Sequence, residues 1–289
     1  MKLSLLTYNM ARHWDLPKLI DVARQGGYAG IEFRAEAGHQ HGVELDATPE
    51  QRREIRDRLQ DAYLEAVCIG LSSRFDTPDE RRRREVIDHT RRYFDLAADV
   101  HCRRIRVFGN DMPKQGLDGG PPPDRDTVTK YVGDALRELG EAAEPYGVDV
   151  LLEMHGQFNY WGFARAAVEH AGHPRVGIVY NCDLRDLVGG SVAPTYERVR
   201  HLVRHVHMHA FTRGYPYPEL FGLLLRDGYQ GYCSSEIDAQ TPTAEDYLLM
   251  YAHLFRAWRA LATAAGPAAL PLQAAAAGIA ATGYALQKL

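Results

Sequence analysis

The sequence predicts an α/β protein built as a single (β/α)8 TIM barrel with an alanine-rich C-terminal extension. Three observations support this: eight short apolar runs recur along the chain, helical segments separate most of them, and the pattern fits in about 260 of the 289 residues. Eight strands alternating with helices are typical of such a barrel. A doubly wound sheet is the alternative, but the segment after the first strand, TYNMARHWD, lacks the GxGxxG phosphate-binding fingerprint.

The predicted strands are short and rich in β-branched residues, as buried strands are. They cover residues 3–8, 30–33, 66–71, 103–109, 148–154, 176–181, 203–209 and 231–237. Segments with 3.6-residue periodicity lie between most of them, for example 15–24, 49–65, 78–98 and 127–146. The third of these helices is predicted to start at Thr77 and Pro78, as N-cap and first helical residue. Gly147 is predicted to stop the fourth.

The C-terminal segment differs in composition from the rest of the chain. Residues 260–287 contain no charged side chain and are dominated by alanine. Glycine and proline interrupt the segment and alanine is weakly apolar, so we do not expect a membrane span. We predict a barrel domain over 1–262 and a tail over 263–289. Within the tail, 273–287 is either a helix, which could pack on a neighbouring subunit of a homo-oligomer, or a poorly ordered end.

Composition limits the classes of partner and the compartment. The net charge is −4 and there is no basic stripe beyond one helical run, so nucleic acid is not an expected partner. The four cysteines lack CxxC spacing, which favours a reduced, cytoplasmic location over a disulfide framework or a zinc knuckle. The first residues, MKLSLLTYNM, are predicted to form a strand and lack the features of a signal peptide.

Polar side chains gather at the carboxyl ends of the last four predicted strands, where barrel active sites lie. These residues are Glu153 and His155 on strand five, Asn181 and Asp183 on strand six, His205, His207 and His209 on strand seven, and Glu236 and Asp238 on strand eight. Successive strands thus supply an acid, then an amide or an acid, then a histidine, then a second acid. These four side chains can converge on a single point. Oxygen ligands with one imidazole suit Mn²⁺, Mg²⁺, Co²⁺ or Zn²⁺.

The stretches GGYAGIEFR, LLEMHG, VGIVYN, HVHMHAFTRG and GYQGYCSSEID resemble the xylose-isomerase-like barrel superfamily, over about residues 3 to 258. The resemblance implies one divalent metal ion, with Mn²⁺ the first expectation. The matching ligand positions are Glu153, Asn181, His207 and Glu236. Arg213 matches an arginine that contacts substrate in some ketose epimerases.

The sequence departs from the family pattern on strand six. The family aspartate is Asn181, and the histidine usually found three residues later is Leu184. An asparagine carbonyl can bind a hard cation but brings no charge, so we expect a more weakly bound, more Lewis-acidic metal. Asp183 is an alternative ligand if the backbone bends.

The resemblance implies a sugar or cyclitol isomerase or epimerase that removes a proton next to a carbonyl through a metal-stabilised enediolate. Glu153 and Glu236 match the acid/base pair. A dehydratase of the inosose or dehydroshikimate type is the alternative, favoured if His155 or His209 can protonate a leaving hydroxyl. A non-catalytic ligand-binding barrel or complex subunit also stays open. The superfamily also contains abasic-site endonucleases, whose three-metal site needs histidines at the ends of strands three and four. That activity is disfavoured here, because these strand ends, IGLSS and VFGN, contain no histidine.

The remaining candidates are substrate contacts around the mouth of the barrel. His209, one step nearer the mouth than His207, is predicted to contact substrate or carry a proton, and His155 is a second candidate. His39 lies in the loop after strand two, above the expected pocket. Glu32 either orients a substrate hydroxyl or pairs with Arg34. His205 is expected to lie deeper, in a hydrogen-bonded layer.

Overall fold

The computed structural model describes residues 1–239 and 241–265. In this part of the chain, eight parallel strands alternate with eight α-helices. The strands are β1 (Lys2–Leu6), β2 (Gly30–Arg34), β3 (Glu65–Arg74), β4 (Arg104–Phe108), β5 (Asp149–Glu153), β6 (Val176–Asn181), β7 (Val203–Met208) and β8 (Tyr232–Ser235). The helices are α1 (Leu16–Gly26), α2 (Pro49–Asp61), α3 (Glu80–Asp99), α4 (Arg125–Ala143), α5 (Trp161–Ala171), α6 (Ala193–Val199), α7 (Tyr217–Arg226) and α8 (Ala244–Ala265).

The sheet closes on itself, which confirms the predicted (β/α)8 barrel. Each strand pairs with the next, and β1 pairs in parallel with β8 through residues such as Leu3 and Cys233. The helix α8 runs through residues 263–265, across the predicted boundary between barrel and tail. The predicted helix over 273–287 lies outside the described residues.

The helix ends follow from local side-chain chemistry. Gly147 adopts a left-handed conformation, with φ of 66°, at the end of the helical segment before β5, as predicted. The predicted start of α3 was wrong by two residues. The cap is Asp79, whose carboxylate accepts the backbone N–H of Arg82 at 3.2 Å, while the hydroxyl of Thr77 accepts the N–H of Asp79. A carboxylate at the N-cap suits the positive end of the helix dipole.

The two faces of the strands differ in polarity, and this difference positions the site. Outward-facing side chains pack against the helices and are fully buried; among them are Leu5, Ile31, Phe33, Ile105, Val107, Val150, Leu152, Ile178, Tyr180, Val206 and Met208. Alternate residues point inward. Many of these are polar and also buried, including Ser4, Glu32, Arg106, Glu153, His205, His207 and Ser234. The hydrophobic core therefore lies between barrel and helices, and the barrel interior holds a charged network.

None of the helices within residues 1–239 and 241–265 is both long and apolar enough to cross a bilayer.

Candidate metal centre and active site

The site is built around His207, a fully buried residue on β7. Its Nε2 lies 2.9 Å from Glu32 Oε1, so this nitrogen donates a hydrogen bond to the carboxylate. Its Nδ1 lies 3.5 Å from Glu153 Oε1 and 3.6 Å from Glu236 Oε2. Neither this Nδ1 nor Glu236 Oε2 has a hydrogen-bond partner, although both atoms are buried. Three donor atoms thus face one another across a small gap.

These donors fit a divalent cation. Glu153, His207 and Glu236 each offer one ligand atom, and these atoms lie within 4.8 Å of one another. A ligating histidine commonly donates its other N–H to a carboxylate, which fixes the ring and its tautomer. Glu32 occupies that position beside His207. The unpartnered buried nitrogen therefore has the orientation that a metal ligand requires.

Asn181 lies beside this group, with its amide nitrogen toward the carboxylates. Its Nδ2 donates to Glu153 Oε1 at 2.8 Å, and its Oδ1 accepts from His209 Nε2 at 2.8 Å. For its carbonyl oxygen to serve as the predicted ligand, the amide must rotate by half a turn. The alternative ligand, Asp183, is directed elsewhere. Its carboxylate pairs with Arg185 at 2.6 Å, outside the group of converging donors.

Replacing Asn181 with aspartate tests this arrangement. We expect the affinity for Mn²⁺ to rise at least about tenfold, because the site gains a negative charge. Without metal the variant should melt at a lower temperature, because two carboxylates then replace the amide–carboxylate hydrogen bond to Glu153. Competition with a fluorescent chelator and thermal melting measure these effects. Asp183→Asn is the matched control: unchanged affinity is expected, and a loss there would make Asp183 the ligand.

Arg106, on β4, is a residue of the site that the sequence analysis does not predict. It is 2% exposed, and its Nε lies 2.8 Å from Glu153 Oε2. Its guanidinium also lies 4.1 Å from the ring centroid of Phe108. The alternation of RRIRVFG placed Arg104 and Arg106 on one strand face. That alternation was the signal available in the sequence, whereas the predicted site residues all come from strand ends and loops.

The charges around the gap shift several pKa values. Burial favours neutral Glu153, but Arg106 and His207 outweigh it and lower the pKa of this carboxyl to about 2. Burial also opposes a charge on His207, yet Glu32, Glu153 and Glu236 raise its pKa well above the ordinary value. Without a metal, His207 is therefore an imidazolium among three carboxylates. A metal ion at Nδ1 would take the place of that proton.

A second buried group lies beneath the first. His205 Nε2 lies 2.7 Å from Glu32 Oε2, and the hydroxyl of Ser234 donates to the same oxygen. Burial lowers the pKa of His205, against the charge of Glu32. Unlike His207, this ring has one carboxylate beside it, so it is neutral. His205 thus lies in the deep, hydrogen-bonded layer that the sequence predicts.

The position of Glu32 differs from both roles predicted from the sequence, which are a contact with a substrate hydroxyl and an ion pair with Arg34. It has no exposed surface, and it contacts His205 and His207 instead of a pocket surface or Arg34. The alternation of side chains along β2 points it inward, and the closed barrel brings it to β7 on the other side of the interior. The structure therefore gives Glu32 the geometry of a positioning residue for His207.

The other predicted substrate contacts surround the mouth of the barrel. His209 is partly exposed, and its Nδ1 lies 3.1 Å from the backbone oxygen of Glu236. His155 is exposed, with Nδ1 2.8 Å from Asn110 Oδ1. Arg213 pairs with Asp238 at 2.6 Å between the loops after β7 and β8. His39 is partly exposed, but both of its ring nitrogens are buried without a partner.

Comparison with known proteins places this geometry in a family. The family model described as a xylose isomerase-like TIM barrel matches residues 20–257. An inosose isomerase from Halalkalibacterium halodurans is 23% identical over 200 residues, 65% of this chain and 65% of that protein. The match thus spans just under two thirds of the length of this relative.

Solved structures share the fold at low sequence identity. The structure of D-psicose 3-epimerase with D-tagatose, from Clostridium cellulolyticum H10, is similar with a TM-score of 0.72 and 15% identity, over 90% of this chain and 99% of that one. The structure of the IOLI protein with a binding zinc atom is similar with a TM-score of 0.65 and 17% identity, over 91% and 96% of the two chains. With its family model, its closed barrel and its strand-end donors, the chain belongs to the xylose isomerase-like TIM barrel family.

Proposed function

We propose that this protein is a divalent-metal-dependent isomerase or epimerase of a sugar or cyclitol, with Mn²⁺ as the first candidate metal. One observation carries the proposal: the buried, unpartnered Nδ1 of His207 faces two carboxylates, Glu153 and Glu236, while Glu32 fixes the ring from behind. The inosose isomerase and the D-psicose 3-epimerase among the similar proteins support this reaction class.

The two carboxylates differ in ways that divide their roles. Glu153 is fully buried and held by Arg106 and Asn181. Glu236 is 9% exposed and lies nearer the mouth, just beyond the end of β8. A bound divalent ion would supply the positive charge that stabilises negative charge developing at the carbonyl oxygen. Glu236 is thus the better placed general base for the proton next to that carbonyl, and Glu153 mainly orients and ligates.

The histidines at the mouth can assist this proton transfer. His209 contacts both the amide of Asn181 and the backbone of Glu236, so it lies beside the proposed base. His155 is exposed at the end of β5, on the side of Glu153. Both can donate a hydrogen bond to a substrate hydroxyl. Protonation of a leaving hydroxyl from this position is what a dehydratase would need, and it keeps that alternative open.

Hydrogen exchange with the solvent tests the proposal directly. The protein is treated with a chelator, dialysed, reloaded with Mn²⁺ and incubated in D₂O with D-fructose, D-psicose or a keto-inositol. We expect NMR to show deuterium at the carbon next to the carbonyl, together with the isomer or epimer. Exchange should stop without the metal and return on reloading.

Three other results would contradict the proposal or favour one of its alternatives. Ultraviolet absorbance of an enone, without an isomer, would favour the dehydratase. Exchange that is insensitive to the chelator would exclude the metal. No exchange with any compound, together with no metal uptake, would favour the non-catalytic barrel.

A further inference from the structure

Two arginines reach the same end of β3 from the strands on either side. Arg34 on β2 and Arg106 on β4 are both register partners of Gly70. Arg34 donates to Gly70 O at 3.0 Å and to Ser72 Oγ at 2.6 Å, and Arg106 donates to Leu71 O at 2.6 Å. The missing side chain at Gly70 makes room for Arg106, since a Cβ there would lie 2.9 Å from Arg106 Nη2.

The two guanidinium groups differ in their acidic partners. Arg106 is paired with Glu153, whereas within 1–239 and 241–265 no carboxylate lies within 4.0 Å of the Arg34 guanidinium. The nearby Glu36 instead accepts the backbone N–H of Ser72 at 2.8 Å. Burial and the charge of Arg106 lower the pKa of Arg34, and the charges of Glu36 and Glu153 oppose this shift without cancelling it. A partly buried charge of this kind is costly unless a ligand compensates it.

Arg34 faces the mouth of the barrel near the proposed catalytic carboxylates. It stands two residues beyond Glu32, so both side chains share the inward face of β2. Tyr8 follows β1, and burial together with the charge of Glu236 raises its pKa against the influence of Arg34. His39, on the loop after β2, has two buried nitrogens without a partner. Tyr8 and His39 thus add neutral hydrogen-bonding groups around the cation.

The charge of the proposed metal site points to the same class of ligand. With a divalent ion held by Glu153, His207 and Glu236, the two carboxylates neutralise the ion. Glu32 then offsets only one of the two arginines, because Asn181 brings no charge, and the nearby Glu36 is exposed to solvent and pairs with His89. A ligand with a single negative charge would make the site neutral.

We propose that Arg34 binds a carboxylate of the substrate, so that the site takes an acidic sugar or cyclitol in preference to a neutral one. A carboxylate can accept two parallel N–H bonds from a guanidinium, which a hydroxyl cannot. A phosphate ester carries close to two negative charges, more than the site lacks. The reaction and the charge of the metal ion in this inference rest on the proposed function, whereas the contacts of Arg34 do not.

Calorimetric titration with three keto sugars tests the preference. D-Fructose, D-fructuronate and D-fructose 6-phosphate share a skeleton and differ in the group at the sixth carbon. We expect the Mn²⁺-loaded protein to bind D-fructuronate at least about tenfold more tightly than D-fructose. The advantage should shrink as salt is added, because the ion pair lies near the surface.

Substitutions of Arg34 identify the group responsible. Arg34→Gln should bring the affinity ratio of D-fructuronate to D-fructose close to one while D-fructose binds as before. Arg34→Lys should keep part of the preference, because lysine keeps the charge but not the two-bond geometry. Arg81→Gln, at an exposed position on α3, is the control and should keep the full ratio. Thermal melting checks that each variant is folded.

Several results would overturn the inference. They are equal binding of D-fructose and D-fructuronate by the unaltered protein, tighter binding of the phosphate ester, and a preference for D-fructuronate that survives Arg34→Gln. Turnover separates this inference from the proposed function. If no compound exchanges deuterium but the Arg34-dependent preference is present, the reaction is wrong and the carboxylate site stands. If neutral sugars react without any preference, the reaction stands and the carboxylate site fails.

Discussion

Replacement of Glu236 with glutamine is expected to lower kcat by about a thousandfold, the loss typical for a general base. Glutamine keeps the shape and an oxygen that can face a metal, but it cannot accept the substrate proton. The residue is 9% exposed, whereas Glu153 has no exposed surface, so Glu236 is the carboxylate nearer to a bound substrate. Deuterium exchange at saturating Mn²⁺ measures the loss.

The matched control is Glu85→Gln on the exposed face of α3, which should leave kcat unchanged. Glu153→Gln is a poorer test, because it leaves the buried Arg106 without its counter-ion. Removing one partner of a buried pair costs about 3–5 kcal/mol, so this variant should lose stability together with activity. If Glu236→Gln keeps more than about a tenth of the kcat with metal bound, Glu236 is not the base.

Replacement of Glu32 with glutamine is expected to weaken Mn²⁺ binding by about 10- to 100-fold, although this carboxylate contacts Nε2 of His207, the ring nitrogen that does not face Glu153 and Glu236. The carboxylate holds the N–H of His207 and so keeps Nδ1 directed at Glu153 and Glu236. An amide at position 32 can present its NH₂ group to either ring and so no longer fixes the tautomer. Competition with a fluorescent chelator gives the affinity.

The same variant should change how stability and metal binding depend on pH. In the native protein the raised pKa of His207 stabilises the metal-free fold below the unfolded value of about 6.5, and this stabilisation is lost as pH rises through the folded value. Mn²⁺ competes with that proton, so its affinity should rise with pH over the same range. Without Glu32 the pKa of His207 falls, so the stability of the metal-free fold and the affinity for Mn²⁺ should both depend less on pH. Unchanged affinity and unchanged pH dependence in Glu32→Gln would show that His207 is not oriented by this carboxylate.

The sequence predicts the barrel well because its evidence is local. Apolar runs, helical periodicity and caps such as Gly147 act over a few residues, and repetition of the unit leaves few alternatives. The strand-end positions of Glu153, His207 and Glu236 were visible for the same reason, and the structure brings them together. Their ligand roles came from resemblance and stay proposals.

The sequence does not reveal which side chains on different strands contact one another. Glu32 and His207 are 175 residues apart in the chain, and their strands are not neighbours in the sheet. Arg106 and Glu153 lie on neighbouring strands, but they meet only once the register between β4 and β5 is set. Periodicity gives the face of a strand on which a side chain lies, but not its partner on another strand.

The buried contact of Glu32 with both histidines limits how this barrel could be redesigned. The carboxylate fills the interior between β2 and β7 and leaves no free surface there. A larger substrate cannot be accommodated by hollowing out that layer, because each truncation would leave a buried charge without its partner. New specificity has to be built outward, on the loops that carry Tyr8 and His39 and on the long loop between β4 and α4. In this protein the floor of the pocket is fixed by electrostatics, and the rim is the part open to engineering.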